Sequence, residues 1–248
     1  MSRWLPSFVR VVVLALLIAL LWAPQDFAGL FQPLTKFGQP AIYTQSSLLS
    51  LTINHLEIVA AATILSTIVA VGCAIFVTRP FGRDFLPLSR SIANIGQTFP
   101  PVAVLAIAVP LLGFGTPPTL VALFLYGLLP IFENALTGLT TLAPDVTEAA
   151  RGVGMTGLQR LLRVEMPLAL PVILAGIRFS VVVSIATATI GSTVAAHTLG
   201  EVIIAGLTTD NTAWVLQGGL VVAVLAVLVY DGLAALERRL TVRTGRAG

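Results

Sequence analysis

The chain has 248 residues, of which 56% are hydrophobic and only 10% charged, and its mean hydropathy is +0.97. That excludes a water-soluble fold, whose surface needs far more charge. It also excludes an internal disulfide or a cysteine-built metal site, because Cys73 is the only cysteine. The net charge of +3 forms no basic face for nucleic acid, because the arginines punctuate apolar runs.

A bilayer core takes about 20 apolar residues as a helix. Six runs meet this requirement, near 8–23, 57–77, 98–114, 119–136, within 168–196, and 215–236. The expected fold is therefore all-α and polytopic, with six transmembrane helices in a single domain over 1–248. The first run could be a cleaved signal peptide, with Arg3 and Arg10 as its basic end. However, its apolar stretch is long, and Pro24-Gln25-Asp26 is no small-residue cleavage site, so a retained helix is expected. Residues 24–54 then read as an ordered loop or short interfacial piece. Gly115-Thr116-Pro117-Pro118 makes a tight hairpin, and 197–213 reads as a re-entrant or interfacial helix.

Lysine and arginine orient the chain. With both termini cytoplasmic, Arg3, Arg10, Arg79, Arg83, Arg90, Arg151, Arg160, Arg163, Arg238, Arg239, Arg243 and Arg246 lie inside and Lys36 alone outside, with Arg178 undecided. The positive-inside rule favours that arrangement.

The largest inner loop, 140–167, carries the most local information. Asp145 with Glu148, and Thr156 with Gln159, are spaced as capping boxes and predict two short helices. Gly152 and Gly154 stop the first helix, and Pro167 and Pro171 mark the bend back into the membrane. Leu158, Leu161 and Leu162 would give the second helix an apolar face, and Arg160 and Arg163 a basic one. Such a surface suits docking to another protein. The glycines at 152, 154 and 157 also spell Gly-x-Gly-x-x-Gly, but no strand precedes them and no acidic residue follows at the spacing a dinucleotide site needs.

The loop resembles the EAA motif of ABC importer permeases through Glu148, Ala149, Ala150, Gly154, Val164, Met166 and Pro167. Val164 and Met166 replace the usual isoleucine and leucine and keep their apolar character. The resemblance implies a type I ABC importer (MetI-like) permease fold in the bacterial inner membrane, with 140–167 as the coupling-helix loop. It implies as partners cytoplasmic ABC ATPase subunits, an external substrate-binding protein, and a second permease chain, the same or different. ATP and magnesium would be bound by the ATPase subunits, and this chain would bind no cofactor and be a transport subunit rather than an enzyme. No phosphate-binding Gly-x-x-x-x-Gly-Lys loop is present to argue otherwise. Ile95 to Pro101, Leu111 to Pro118, Glu148 to Arg178 and Ala186 to Gly191 resemble permeases for osmoprotectants (glycine betaine, choline and carnitine), and Thr98-Phe99-Pro100-Pro101 is most similar to the Yeh-type members.

Two stretches are candidates for the translocation path. Gln97 and Thr98 precede a proline break whose freed carbonyls would line a cavity or be covered by neighbours. Thr187, Thr189 and Ser192 lie in a small, polar run whose residues four apart would let helices approach closely. Arg178, Glu133 and Asp231 are expected to pair or snorkel near span ends. Trp214 reads as an interfacial anchor, and His55 and His197 show no metal-ligand spacing. A secondary carrier would show internal repeats and acidic residues near the midplane, and a membrane enzyme would show clustered catalytic groups. Neither pattern is present.

Overall fold

A computed structural model of the protein describes residues 7–36 and 38–243, so Arg3 and Arg246 lie outside the described residues. Among the described residues the regular structure is entirely helical. The helices are α1 (Ser7–Trp22), α2 (Ala28–Phe31), α3 (Leu48–Val77), α4 (Leu86–Thr98), α5 (Pro101–Leu112), α6 (Thr116–Thr140), α7 (Pro144–Gly152), α8 (Gly157–Arg160), α9 (Met166–Ala188), α10 (Gly200–Thr208) and α11 (Thr212–Arg243). Helix is the form that satisfies backbone polar groups within one segment, as hydrocarbon requires. Among the described residues four stretches are long and apolar enough to cross a bilayer, Leu48–Val77, Thr116–Thr140, Gly157–Val194 and Thr212–Leu240; two pairs bent by 110° and 97°, Phe8–Trp22 with Pro24–Leu34 and Arg83–Thr98 with Pro101–Leu112, bring the number to six when each pair is counted as one broken span.

Several boundaries differ from expectation for local reasons. The second span begins at Leu48, a full two turns before 57. Its polar residues there are absorbed: the Thr52 hydroxyl donates to the Leu48 carbonyl at 2.7 Å, and His55 is fully buried. The third span is two helices. Pro100 and Pro101 offer no N–H, and Phe99 before them sits at φ −92°, ψ 137°, the extended region a following proline imposes. The fifth span tightens after Ala188 into a 3-10 turn over Thr189–Val194 and ends on Ala195 at φ 64°. The four-residue spacing of Thr187, Gly191 and Ala195 therefore does not stay on one helical face. Trp214 is 6% exposed, so it is a core residue and not an interfacial anchor.

The chain forms two compact units. One comprises 1–60, 101–121 and 185–229. Its core joins Leu17, Leu20 and Leu21 of α1 to Ile42, Tyr43, Leu48, Leu199, Trp214 and Val221. Tyr43 meets Trp214 edge-on at 5.3 Å. The segment before α3 is ordered by side chains: Gln217 Nε2 donates to the Ala41 carbonyl, Asn211 Nδ2 to the Pro40 carbonyl, and Lys36 pairs with Asp210 at 2.8 Å. Glu201 on α10 accepts from Tyr43 and Ser46 and faces His197 at 3.1 Å. Burial works against the Glu201 carboxylate, but the hydrogen bonds from Ser46, Tyr43 and His197 outweigh it and hold its pKa below the ordinary value. Burial, then the neighbouring Glu201, pushes the Tyr43 phenol up to about 12.

The other unit comprises 61–100, 122–184 and 230–248. Ala70, Ala74 and Val77 of α3 pack with Ala93 of α4, with Ile131, Phe132 and Ala135 of α6, and with Ala169 and Ile173 of α9. In a membrane, small residues stabilise such contacts by letting backbones approach. Gly96 is the extreme case, since a Cβ there would overlap the Leu125 carbonyl. Gly96→Ala is expected to cost about 1–3 kcal/mol by overpacking, read as a lowered thermal midpoint of the purified chain. On outer faces, Ile64, Leu65, Ile68 and Val69 of α3 are exposed, as a lipid-facing surface requires.

Candidate functional site

The EAA loop lies wholly within the second unit. Pro144 starts α7, where a missing N–H costs nothing. The residue before it, Ala143, is the N-cap, and no side chain caps this end. The Asp145–Glu148 pair is therefore not a capping box, and Asp145 instead lies in the first turn, where a carboxylate favours the helix dipole. The stop of α7 is built as expected, with Gly154 as the decisive glycine. It sits at φ 78°, its N–H donates to the Arg151 carbonyl, and the Met155 N–H reaches back to the Ala150 carbonyl at 3.1 Å. That pair of bonds is a Schellman motif, which needs a left-handed residue at this position.

Thr156 and Gln159 do form the second capping box: the Gln159 N–H donates to Thr156 Oγ1, and the Thr156 N–H to Gln159 Oε1. Beyond Gln159 the chain departs from expectation. Instead of a separate second helix, α8 runs through a π turn, Leu161–Glu165, directly into α9. The cause is Pro167, which cannot donate to the Arg163 carbonyl and would clash with it in a regular helix. The wider turn, with the Met166 N–H bonded to the Leu161 carbonyl, absorbs the mismatch.

This geometry divides the seven motif residues into two groups. Glu148, Ala149 and Gly154 are exposed, and Val153 and Leu158 beside them are 73% and 65% exposed. Ala150 is buried, Val164 and Pro167 are half-buried, and Met166 packs on the unit's core. The expected basic face divides as well. Arg163 is exposed, whereas Arg160 turns inward to Glu165 at 2.8 Å. Leu158 and Leu162 are exposed, but Leu161 packs inward. Glu165 is 7% exposed and also pairs with Arg79 at 2.5 Å, so one carboxylate holds two guanidinium groups. Sequence reasoning passes over Glu165 because its partner Arg79 is 86 residues away.

The path candidates fall into different units. In the second, Gln97 Nε2 donates to the Tyr126 carbonyl at 2.9 Å, the Tyr126 hydroxyl donates to the Phe99 carbonyl, and Thr98 bonds back to Asn94. These bonds cover carbonyls around the proline break. In the first unit, Thr187 is half-buried, Thr189 donates to the Ala186 carbonyl, and Ser192 bonds Thr198 and the Ala196 carbonyl. The Thr189 and Ser192 hydroxyls thus bind backbone and side-chain groups at the two ends of the 3-10 turn. His55, for which the sequence shows only a lack of metal-ligand spacing, is the pin of that region: its ring meets the Ile185 carbonyl at 2.9 Å and the Leu199 N–H at 3.4 Å. The expected pairing of ionisable groups is seen in the second unit, where Glu133 pairs with Arg90, and Arg178 pairs with Glu237 and lies 4.8 Å from the Tyr230 ring centre.

A polytopic helical chain carrying a capped, exposed loop ahead of its last two long helices defines a membrane transport subunit. Residues 67–242 match the family model described as the binding-protein-dependent transport system inner membrane component, and the chain belongs to that family. It is 37% identical over 200 residues to the osmoprotectant import permease protein OsmY of Salmonella typhimurium, covering 81% of this chain and 85% of the relative. It is 39% identical to the glycine betaine/carnitine/choline transport system permease protein OpuCB of Bacillus subtilis, covering 78% and 88%. It is 40% identical to the carnitine transport permease protein OpuCB of Listeria monocytogenes, covering 82% and 93%. Among solved structures, a chain of the MetNI methionine ABC transporter in inward-facing conformations superposes with a TM-score of 0.70 at 19% identity, covering 78% of this chain and 96% of that one. The fold is thus that of an ABC importer permease, as the EAA resemblance implied.

Proposed function

We propose that this permease passes osmoprotectants of the glycine betaine, choline and carnitine class, delivered by an external binding protein and driven by ATPase subunits docked on 140–167. The relatives at 37–40% identity, named for those substrates over most of their length, carry the substrate reading. The exposed face of Glu148, Ala149, Val153 and Leu158, held by the Gly154 stop and the Thr156 cap, supports the docking reading. The cytoplasm is its side of the membrane, supported by the arginine distribution, with both termini there. Val164, Met166 and Pro167 act from within, by setting the π turn that joins the loop to α9.

The test is transport into vesicles carrying the permease, its ATPase and its binding protein. Glycine betaine uptake should require ATP and survive collapse of ion gradients; uptake driven by a gradient alone would refute the importer reading. Ala149→Glu puts a charge on an exposed position, so the fold should be unaffected. Co-purification with the ATPase, and uptake, should each fall by about tenfold or more, the loss expected when the centre of an interface is disrupted.

A further inference from the structure

We propose that a cleft of about 440 Å³ behind α7 is a binding site for a phosphate oxyanion. Its wall includes Arg79, Arg83, Arg151 and Arg160, with Thr147 and Glu165 between them. Glu165 is the only carboxylate on that wall and is shared by Arg79 and Arg160. Arg83 and Arg151 have no ion pair among the described residues. Four guanidinium groups against one carboxylate leave a cleft with three uncompensated positive charges.

The sequence builds this arrangement from two sides. Thr147 and Arg151 are one turn apart on α7 and so share a face, while Glu148 and Ala149 are turned to the exposed side. Arg79 and Arg83 flank a tight turn held by the Gly82 N–H on the Arg79 carbonyl and the Phe85 N–H on the Gly82 carbonyl. Only glycine fits at 82, because a Cβ there would overlap the Phe76 carbonyl. Arg79 and Arg160 are locked by Glu165, which fixes the walls and leaves Arg83 and Arg151 to take a ligand. Guanidinium matches phosphate in bidentate geometry, and two such groups without an ion pair on the wall of one cleft suit a phosphate.

The same chemistry comes from two sources, the headgroup of an anionic phospholipid or a soluble phosphate. Phe81 and Phe85, exposed beside Arg83, set apolar rings next to the cation as at a membrane interface.

The experiment uses the full chain in nanodiscs, as wild type and as R83Q/R151Q, at matched ionic strength. The discs hold phosphatidylcholine alone, phosphatidylcholine with phosphatidylglycerol, or phosphatidylcholine with added inorganic phosphate. In wild type, phosphatidylglycerol or phosphate should raise the thermal midpoint by about 3–5 °C at saturation. In the double variant the apparent affinity should weaken by about tenfold or more. A response to phosphatidylglycerol alone assigns the site to the headgroup, and a response to inorganic phosphate assigns it to a soluble anion. No response in wild type, or an equal response in the variant, overturns the proposal. The anion-free midpoint of the variant, at or above that of wild type because two like charges are gone, verifies folding; if it falls, R83Q alone replaces the double variant.

Discussion

Replacing Glu165 with alanine should destabilise the second unit by about 3–5 kcal/mol, the cost of leaving buried charge uncompensated. The side chains of Arg79 and Arg160 are only 17% and 19% exposed, and each points a guanidinium at the same carboxylate. Without it, two like charges face each other where solvent screens them poorly. The loss should be local in its consequences. Arg160 ends α8 and Arg79 follows α3, so the carboxylate ties the EAA loop to a long helix of the same unit. The thermal midpoint should fall, and proteolysis within 153–165 should accelerate. Arg79→Gln or Arg160→Gln removes one cation and leaves a balanced pair, so each should cost distinctly less than Glu165→Ala. Equal losses from all three would mean the carboxylate does not act as a shared counter-ion.

Much of this architecture is legible in the sequence because lipid imposes one rule. Long apolar runs must be helices, and their breaks fall where proline or glycine removes a bond or frees a conformation. Pro100 and Pro101 announce the break of the third span, and Thr156 with Gln159 announces the start of α8. The EAA spacing is visible as a pattern of residue types. What it cannot convey is which members face outward. That division depends on the π turn, whose extra residue rotates Val164 and Met166 relative to an ideal helix. The pairs Arg79–Glu165 and Tyr43–Glu201 are equally hidden, since side chains 86 and 158 residues apart meet only in the fold. Trp214 and His55 escape a sequence reading for one common reason. Near the end of a span, a polar aromatic ring suggests water, yet folded segments on the same unit cover both.

His55→Leu should cost roughly 2–4 kcal/mol, from two buried backbone groups left without partners. The ring is fully buried, and each of its nitrogens has a separate task. The Leu199 N–H points at Nδ1, so Nδ1 must accept; Nε2 then carries the proton and donates to the Ile185 carbonyl. Only the neutral ring in that tautomer satisfies both. Ile185 lies in the last turn of α9 and Leu199 immediately precedes α10, so His55 clamps the segments that flank the 3-10 turn containing Thr189 and Ser192. Thr198 reinforces the closure by donating to the Ala188 carbonyl and accepting from the Gly200 N–H. Leucine fills the volume but can neither donate nor accept, and the turn should open locally before the unit unfolds. Hydrogen exchange at the Leu199 amide should therefore accelerate by about 30-fold to several hundredfold, in keeping with a loss of that size. His55→Gln, which keeps one donor and one acceptor, should recover part of the protection. Unchanged exchange at Leu199 in His55→Leu would show that the turn is held by Thr198 and Ser192 alone.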